Sequence, residues 1–118
     1  MSTTRIEQER EIVRRKLPKN TRSLSVDGVN GWLYEITCEF GRPYTMFLYW
    51  DGSMYKVQLI YPDPGQIPDD AHKHHYLRNG VICLTKNIGY PNLEEAWAKS
   101  VLFATGWTAL QETGSFQF

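Results

Sequence analysis

The sequence predicts an α+β domain: an N-terminal helix, a four-stranded antiparallel meander, an irregular loop and a C-terminal covering helix, in that order. Three observations carry this. Apolar residues recur at helical spacing near both ends of the chain, alternate with period two across the middle, and are punctuated there by turn pairs. One face of such a meander must be covered, and the broad apolar stripe near the C-terminus supplies the cover. With 118 residues, 42% of them apolar and 22% charged, the chain fits one domain, residues 1–118.

The first element starts at Thr4, which with Glu7 has the form of a capping box, and stops at Leu17-Pro18. Its acids come early and its bases late, which suits the helix dipole. Ile6, Val13 and Leu17 form a thin apolar stripe, so the helix is expected to lie on the body of the domain. Four short runs follow, separated by the turn signals Asp27-Gly28, Asn30-Gly31, Gly41 and Asp51-Gly52. The runs are Leu24–Val26, Trp32–Phe40, Tyr44–Trp50 and Tyr55–Tyr61. In the second, Trp32, Tyr34, Ile36, Cys38 and Phe40 share a face; in the fourth, Tyr55, Val57, Leu59 and Tyr61 do. The run Tyr44–Trp50 is apolar on both faces, as a central strand should be. Near the C-terminus Asn92 is placed to cap, with Glu95 three residues on. Leu93, Ala96, Trp97, Ser100, Val101, Ala104, Trp107 and Leu110 then follow at helical spacing, with Gly106 as a point where the helix is expected to bend or shorten. Between meander and helix lie nineteen residues, Pro62 to Gly80, with little pattern. A stretch of that length in so small a domain points to function.

Thirteen basic residues balance thirteen acidic ones, so bulk charge makes no case for a nucleic-acid partner. No apolar run approaches the roughly 18–20 residues of a membrane span, and Met1 to Glu11 lacks the apolar core of a secretion signal. A cytoplasmic protein without a membrane partner is expected. The charge is unevenly placed, however: Arg5, Arg10, Arg14, Arg15, Lys16, Lys19 and Arg22 face only Glu7, Glu9 and Glu11 in the first 22 residues. That segment reads either as a solvated helix face or as a docking surface for an acidic partner.

The chemistry-bearing residues concentrate in the irregular stretch. Of the two cysteines, Cys38 shares the inward register of its strand and reads as a small core hydrophobe. Cys83 follows the Asn79-Gly80 turn pair at the end of a histidine-bearing loop and is expected outside the main sheet, where a thiol is accessible and its thiolate is favoured by nearby positive charge. His72, His74 and His75 with Cys83 have the donor types of a zinc site but not the paired spacing of one, so no metal or cofactor is expected. A Cys83–His75 pair also fits a small cysteine hydrolase.

The run Asn79-Gly80-Val81-Ile82-Cys83-Leu84 resembles the active-site segment of ubiquitin-conjugating enzymes, where a Gly-x-[Ile/Leu]-Cys-Leu sequence carries the thioester cysteine. The order of elements is also similar, so the resemblance spans most of the chain. It implies a truncated ubiquitin-conjugating fold in which Cys83 accepts a ubiquitin-like modifier from an activating enzyme and passes it to an amine of a protein target. The family's His-Pro-Asn motif is replaced here by Lys73-His74-His75, so His75 stands at the asparagine's position. The resemblance makes Cys83 and His75 catalytic, with His75 either donating to the oxyanion or bracing the loop. It puts Lys73, His74, Asn79 and Gly80 in the active-site loop. It also implies that Arg5, Arg10, Arg14 and Arg15 meet the activating enzyme. Glu112, expected after the covering helix, is the nearest acid to assist the amine. The shortened loop and the end of the chain at Phe118, without the further C-terminal helices of eukaryotic members, resemble compact bacterial relatives encoded in antiphage operons. A non-catalytic interaction module of the same fold is the alternative.

Overall fold

A computed structural model describes residues 4–38, 41–63, 77–78, 80–82 and 89–113. Helix α1, Arg5–Lys16, leads into β1 (Arg22–Val26), β2 (Val29–Thr37), β3 (Pro43–Trp50) and β4 (Tyr55–Tyr61). Two short strands, β5 (Leu77–Arg78) and β6 (Val81–Ile82), precede helix α2, Leu93–Thr113. The architecture is α+β. The strands form one antiparallel sheet in the order β1-β2-β3-β4-β6-β5.

Local chemistry explains the boundaries. The Thr4 hydroxyl accepts from the Glu7 amide at 3.2 Å, satisfying one of the orphan donors at the helix start. At the other end the extended conformation of Leu17 stops α1 before Pro18. Asp27 and Gly28 both have positive φ, 50° and 81°, the signature of the two-residue hairpin turn whose twist matches its strands. The β3–β4 turn is organised by the Asp51 carboxylate. It accepts from Lys56 Nζ at 2.8 Å and from the amides of Met54 and Ser53, each at 2.8 Å. Those contacts, Lys56 first, hold its carboxyl far below the usual range. Asn92 caps α2 by accepting from the Glu95 amide at 2.8 Å.

One face of the sheet packs under α2. Tyr34, Tyr44, Met46, Leu48, Val57 and Leu59 bury against Leu93, Ala96, Phe103, Ala104 and Trp107. Two tyrosines tie the layers together. Tyr34 Oη donates to Ser100 Oγ at 2.7 Å, and Ser100 Oγ donates on to the Trp97 carbonyl at 2.7 Å. Tyr44 Oη and Thr108 Oγ1 lie 2.8 Å apart. Burying a hydroxyl is tolerated because each finds a partner.

Six expectations need correction. The sheet does not end at four strands: Val81 pairs with Gln58, so the segment leading to Cys83 belongs to the main sheet. Leu77–Arg78 is likewise a strand inside the stretch expected to be irregular. Asn30-Gly31 is not a turn but part of β2, where a Cβ on Gly31 would stand 2.5 Å from the Phe47 ring; the glycine permits a close approach. Tyr61 is 56% exposed because the register shifts between Thr45 and Met46, inserting Ile60 and pairing Tyr61 with Thr45 on the outer face. Helix α2 runs through Gly106 without a break, since a buried glycine on a packed face lets tertiary contacts outweigh its propensity. Glu112 accordingly lies within α2, not after it.

Candidate functional site

The residues expected to do the chemistry divide sharply. Cys83, His75, His74, Lys73 and Asn79 lie outside the described residues, as does His72. Gly80 is described, and so are the two residues that join it to Cys83. Gly80 is buried with φ 82°, a backbone conformation that costs a glycine little. Its carbonyl accepts from the Leu59 amide at 2.8 Å. Val81 pairs with Gln58 of β4 and with Arg78 of β5. Ile82 is fully buried beneath α2. The backbone entering position 83 is therefore held at two points: a sheet hydrogen bond fixes Gly80, and core packing fixes Ile82.

The other cysteine is only half-buried. Cys38 lies one residue beyond β2, packed against the core, with its amide donating to the Arg42 carbonyl at 2.9 Å. It keeps the apolar role expected of it at the margin of the core.

Helix α1 is positioned by a residue the apolar stripe did not include. Glu9 is only 6% exposed, whereas Ile6, expected on the buried stripe, is 43% exposed. The Glu9 carboxylate accepts from Trp32 Nε1 at 2.8 Å, Tyr55 Oη at 2.9 Å and Arg5 Nη1 at 2.6 Å. The Arg5 guanidinium also lies 5.5 Å from the centre of the Trp50 ring, and Trp50 packs on Tyr55. Burial first, and then the adjacent Glu9 carboxylate, push the Tyr55 hydroxyl up to about 12. A buried carboxylate with three donors clamps the helix to β2 and β4. Spacing held the clue: Glu9, Val13 and Leu17 are four residues apart, and Glu9 shares their face.

The four arginines expected to meet a partner are not equivalent. Arg5 belongs to the Glu9 clamp. Arg14 pairs with Glu11 at 2.5 Å, and Arg15 approaches the same carboxylate at 3.5 Å. The hydrogen bond from Arg14 lowers the Glu11 carboxyl and raises the guanidinium in return. Arg10 is exposed and lines a cleft of about 240 Å³ with Arg5, Ser23, Asn30 and Trp32.

No family model, curated protein or solved structure matches the chain. Among the described residues no helix is long and apolar enough to cross a membrane.

Proposed function

We propose that the protein is a thioester carrier of the ubiquitin-conjugating type, with Cys83 as its nucleophile. One observation carries the reading: the Gly80-Val81-Ile82-Cys83-Leu84 run falls in a helix–meander–helix chain, with its Val81-Ile82 pair forming β6. The rigid approach at Gly80 and Ile82 supports it, because a nucleophile that must meet two large partners in turn benefits from a fixed origin.

In the first step the Cys83 thiolate attacks the carbonyl carbon of the modifier's C-terminal thioester on an activating enzyme. That enzyme's thiolate leaves, and the thioester is conserved. In the second, a target amine attacks the Cys83 thioester, the Cys83 thiolate departs and the amine proton passes to a base, leaving an amide. Thiols suit both steps because they attack and leave well. Each passes through a tetrahedral oxyanion, and a donor aimed at it is worth about 3–4 kcal/mol. His75 is the proposed donor, with Lys73, His74, Asn79 and Gly80 shaping its loop. Arg5, Arg10, Arg14 and Arg15 form the face offered to the activating enzyme. The setting we favour is a bacterial antiphage conjugation system in the cytoplasm.

The test is formation of a covalent adduct with the modifier and activating enzyme of the same operon. The adduct should vanish with a thiol reductant and be absent in Cys83→Ala. His75→Ala should load normally and discharge slowly to amine; equal loss of both steps would make His75 a loop brace. No adduct with an active activating enzyme would refute the carrier and leave an interaction module.

A further inference from the structure

A second surface, independent of Cys83, lies at the far edge of the sheet. Strand β1 is its outermost strand, and all five of its residues are exposed. It pairs with β2 through Val26–Val29, Leu24–Gly31 and Arg22–Leu33. The two-residue turn makes Val26 and Val29 a hydrogen-bonded pair, so alternation along the ladder turns the backbone groups of Val26, Leu24 and Arg22 inward. Those of Ser23 and Ser25 face the open edge. Most of the usual edge protections are missing here: β1 has no proline and no bulge in its register, and its one charge, Arg22, stands at its first residue.

The two faces beside this edge differ in chemistry. Leu24 and Val26 share the outer face with Val29, and all three are exposed apolar side chains. On the inner face Ser23 borders the cleft that Arg5 and Arg10 line. Of the three acids of α1, Glu9 is taken up by Arg5 and Glu11 by Arg14 and Arg15, while Glu7 is exposed; among the described residues none of them pairs with Arg10.

We infer that β1 is a docking edge for an extended segment of a partner protein. The segment adds as a further strand, with apolar side chains over Leu24 and Val26 and acidic side chains toward the Arg5–Arg10 cleft. The period of two in a strand delivers that alternation, with the backbone of Ser23 and Ser25 giving affinity and the two faces giving specificity. Charge decides against a second copy of this chain as the occupant. Pairing β1 with itself would satisfy the same backbone groups but bring one arginine-lined cleft beside another.

The probe is a capped peptide, Ser-Glu-Val-Glu-Val-Glu-Val-Ser, titrated into isotopically labelled protein and followed by amide shifts. Saturable shifts should centre on Ser23 and Ser25, with a Kd below about 1 mM at low salt and weaker binding as salt rises. Ser25→Pro removes an outward amide while keeping the inner ladder, and should weaken binding about tenfold or more. Arg10→Glu should weaken it about fivefold, and the peptide with lysine in place of glutamate should not bind. Should Ser25→Pro fail to fold, Leu24→Glu tests the same edge through its exposed face and should also abolish binding. The inference is overturned by any of four results: no binding at several millimolar peptide, unchanged binding by these variants, equal binding of both peptide charges, or self-association through β1 that Leu24→Glu abolishes.

Discussion

Replacing Glu9 with alanine tests whether one buried carboxylate holds α1 in place. The substitution leaves Trp32 Nε1 and Tyr55 Oη, both on residues no more than 8% exposed, without their acceptor. Each orphaned donor costs about 1–3 kcal/mol. Arg5 adds little, because its side chain is 46% exposed and water replaces the lost contact. Relief of the desolvated charge offsets part of the loss. The expected net is about 2–4 kcal/mol, which for a chain of this length lowers Tm by about 8–16 °C. Urea titration followed by tryptophan fluorescence gives the free energy directly, with an unchanged m-value expected. Glu9→Gln keeps one acceptor and should lose about half as much. A cycle with Trp32→Phe, which keeps an apolar ring and deletes the donor, should show coupling of about 1–2 kcal/mol. Should Glu9→Ala fall within about 0.5 kcal/mol of the parent, or glutamine prove worse than alanine, the clamp is not what seats the helix.

Gly31→Ala should destabilise by about 1–3 kcal/mol, because the new methyl meets Phe47 Cζ at 2.5 Å and the Leu48 carbonyl at 2.7 Å. Adding Phe47→Leu should recover only part of this in urea titration, since the backbone carbonyl stays in place. High pH should unfold the protein through its buried phenols. Burial pushes Tyr44 and Tyr55 up to about 12 and Tyr34 higher still, each from an ordinary value of 10.0. The unfolded chain then releases those protons first, so stability should hold below pH 10 and fall as pH rises through 12. Urea midpoints across that range, with tyrosinate absorbance, would show it; ionisation of all seven phenols near pH 10 without unfolding would contradict it.

How much the sequence disclosed depended on the range of the interaction. Thr4, Asn92 and the Asp27-Gly28 pair act within a few residues of themselves, and each does in the fold what its local chemistry suggests. Strands β3 and β4 were legible for the same reason, β4 from alternation within a single run and β3 from a run apolar on both faces. The misjudged features all depend on a distant partner. Gly31 looks like a turn residue until the Phe47 ring lies over it. Tyr61 continues an inward alternation until the insertion of Ile60 reverses it. Glu9 looks like a solvated acid until Trp32 and Tyr55 present donors from two strands. Within the candidate site the turn pair, the histidine-bearing loop and then the motif drew attention to Gly80 and Cys83, whereas nothing local disclosed that Val81 joins β4, a pairing between residues far apart in the chain.

The same distribution of acids explains how a chain of zero net charge can present a basic edge. Beyond about 8–10 Å, exposed charges are largely screened at physiological salt, so a partner at β1 responds to the side chains around that cleft and hardly to the rest. Glu9 itself lines the cleft, but its carboxylate is buried and saturated by three donors. Glu11 is engaged by Arg14 and Arg15. Two of the helix's three acids are thus engaged, Glu9 by Arg5 and the sheet and Glu11 within the helix, and Arg10 is left outward-facing. The clamp and the basic edge are linked on this view, because freeing the Glu9 carboxylate would place an anion in the cleft. Glu9→Gln removes that anion while retaining an acceptor, so it should lower stability yet leave peptide affinity at β1 unchanged or stronger. Glu9→Ala, which loosens the helix carrying Arg10, should lower both. Equal strengthening of peptide binding by both variants would mean that Glu9 acts on the edge through its charge and not through the seat it gives to α1.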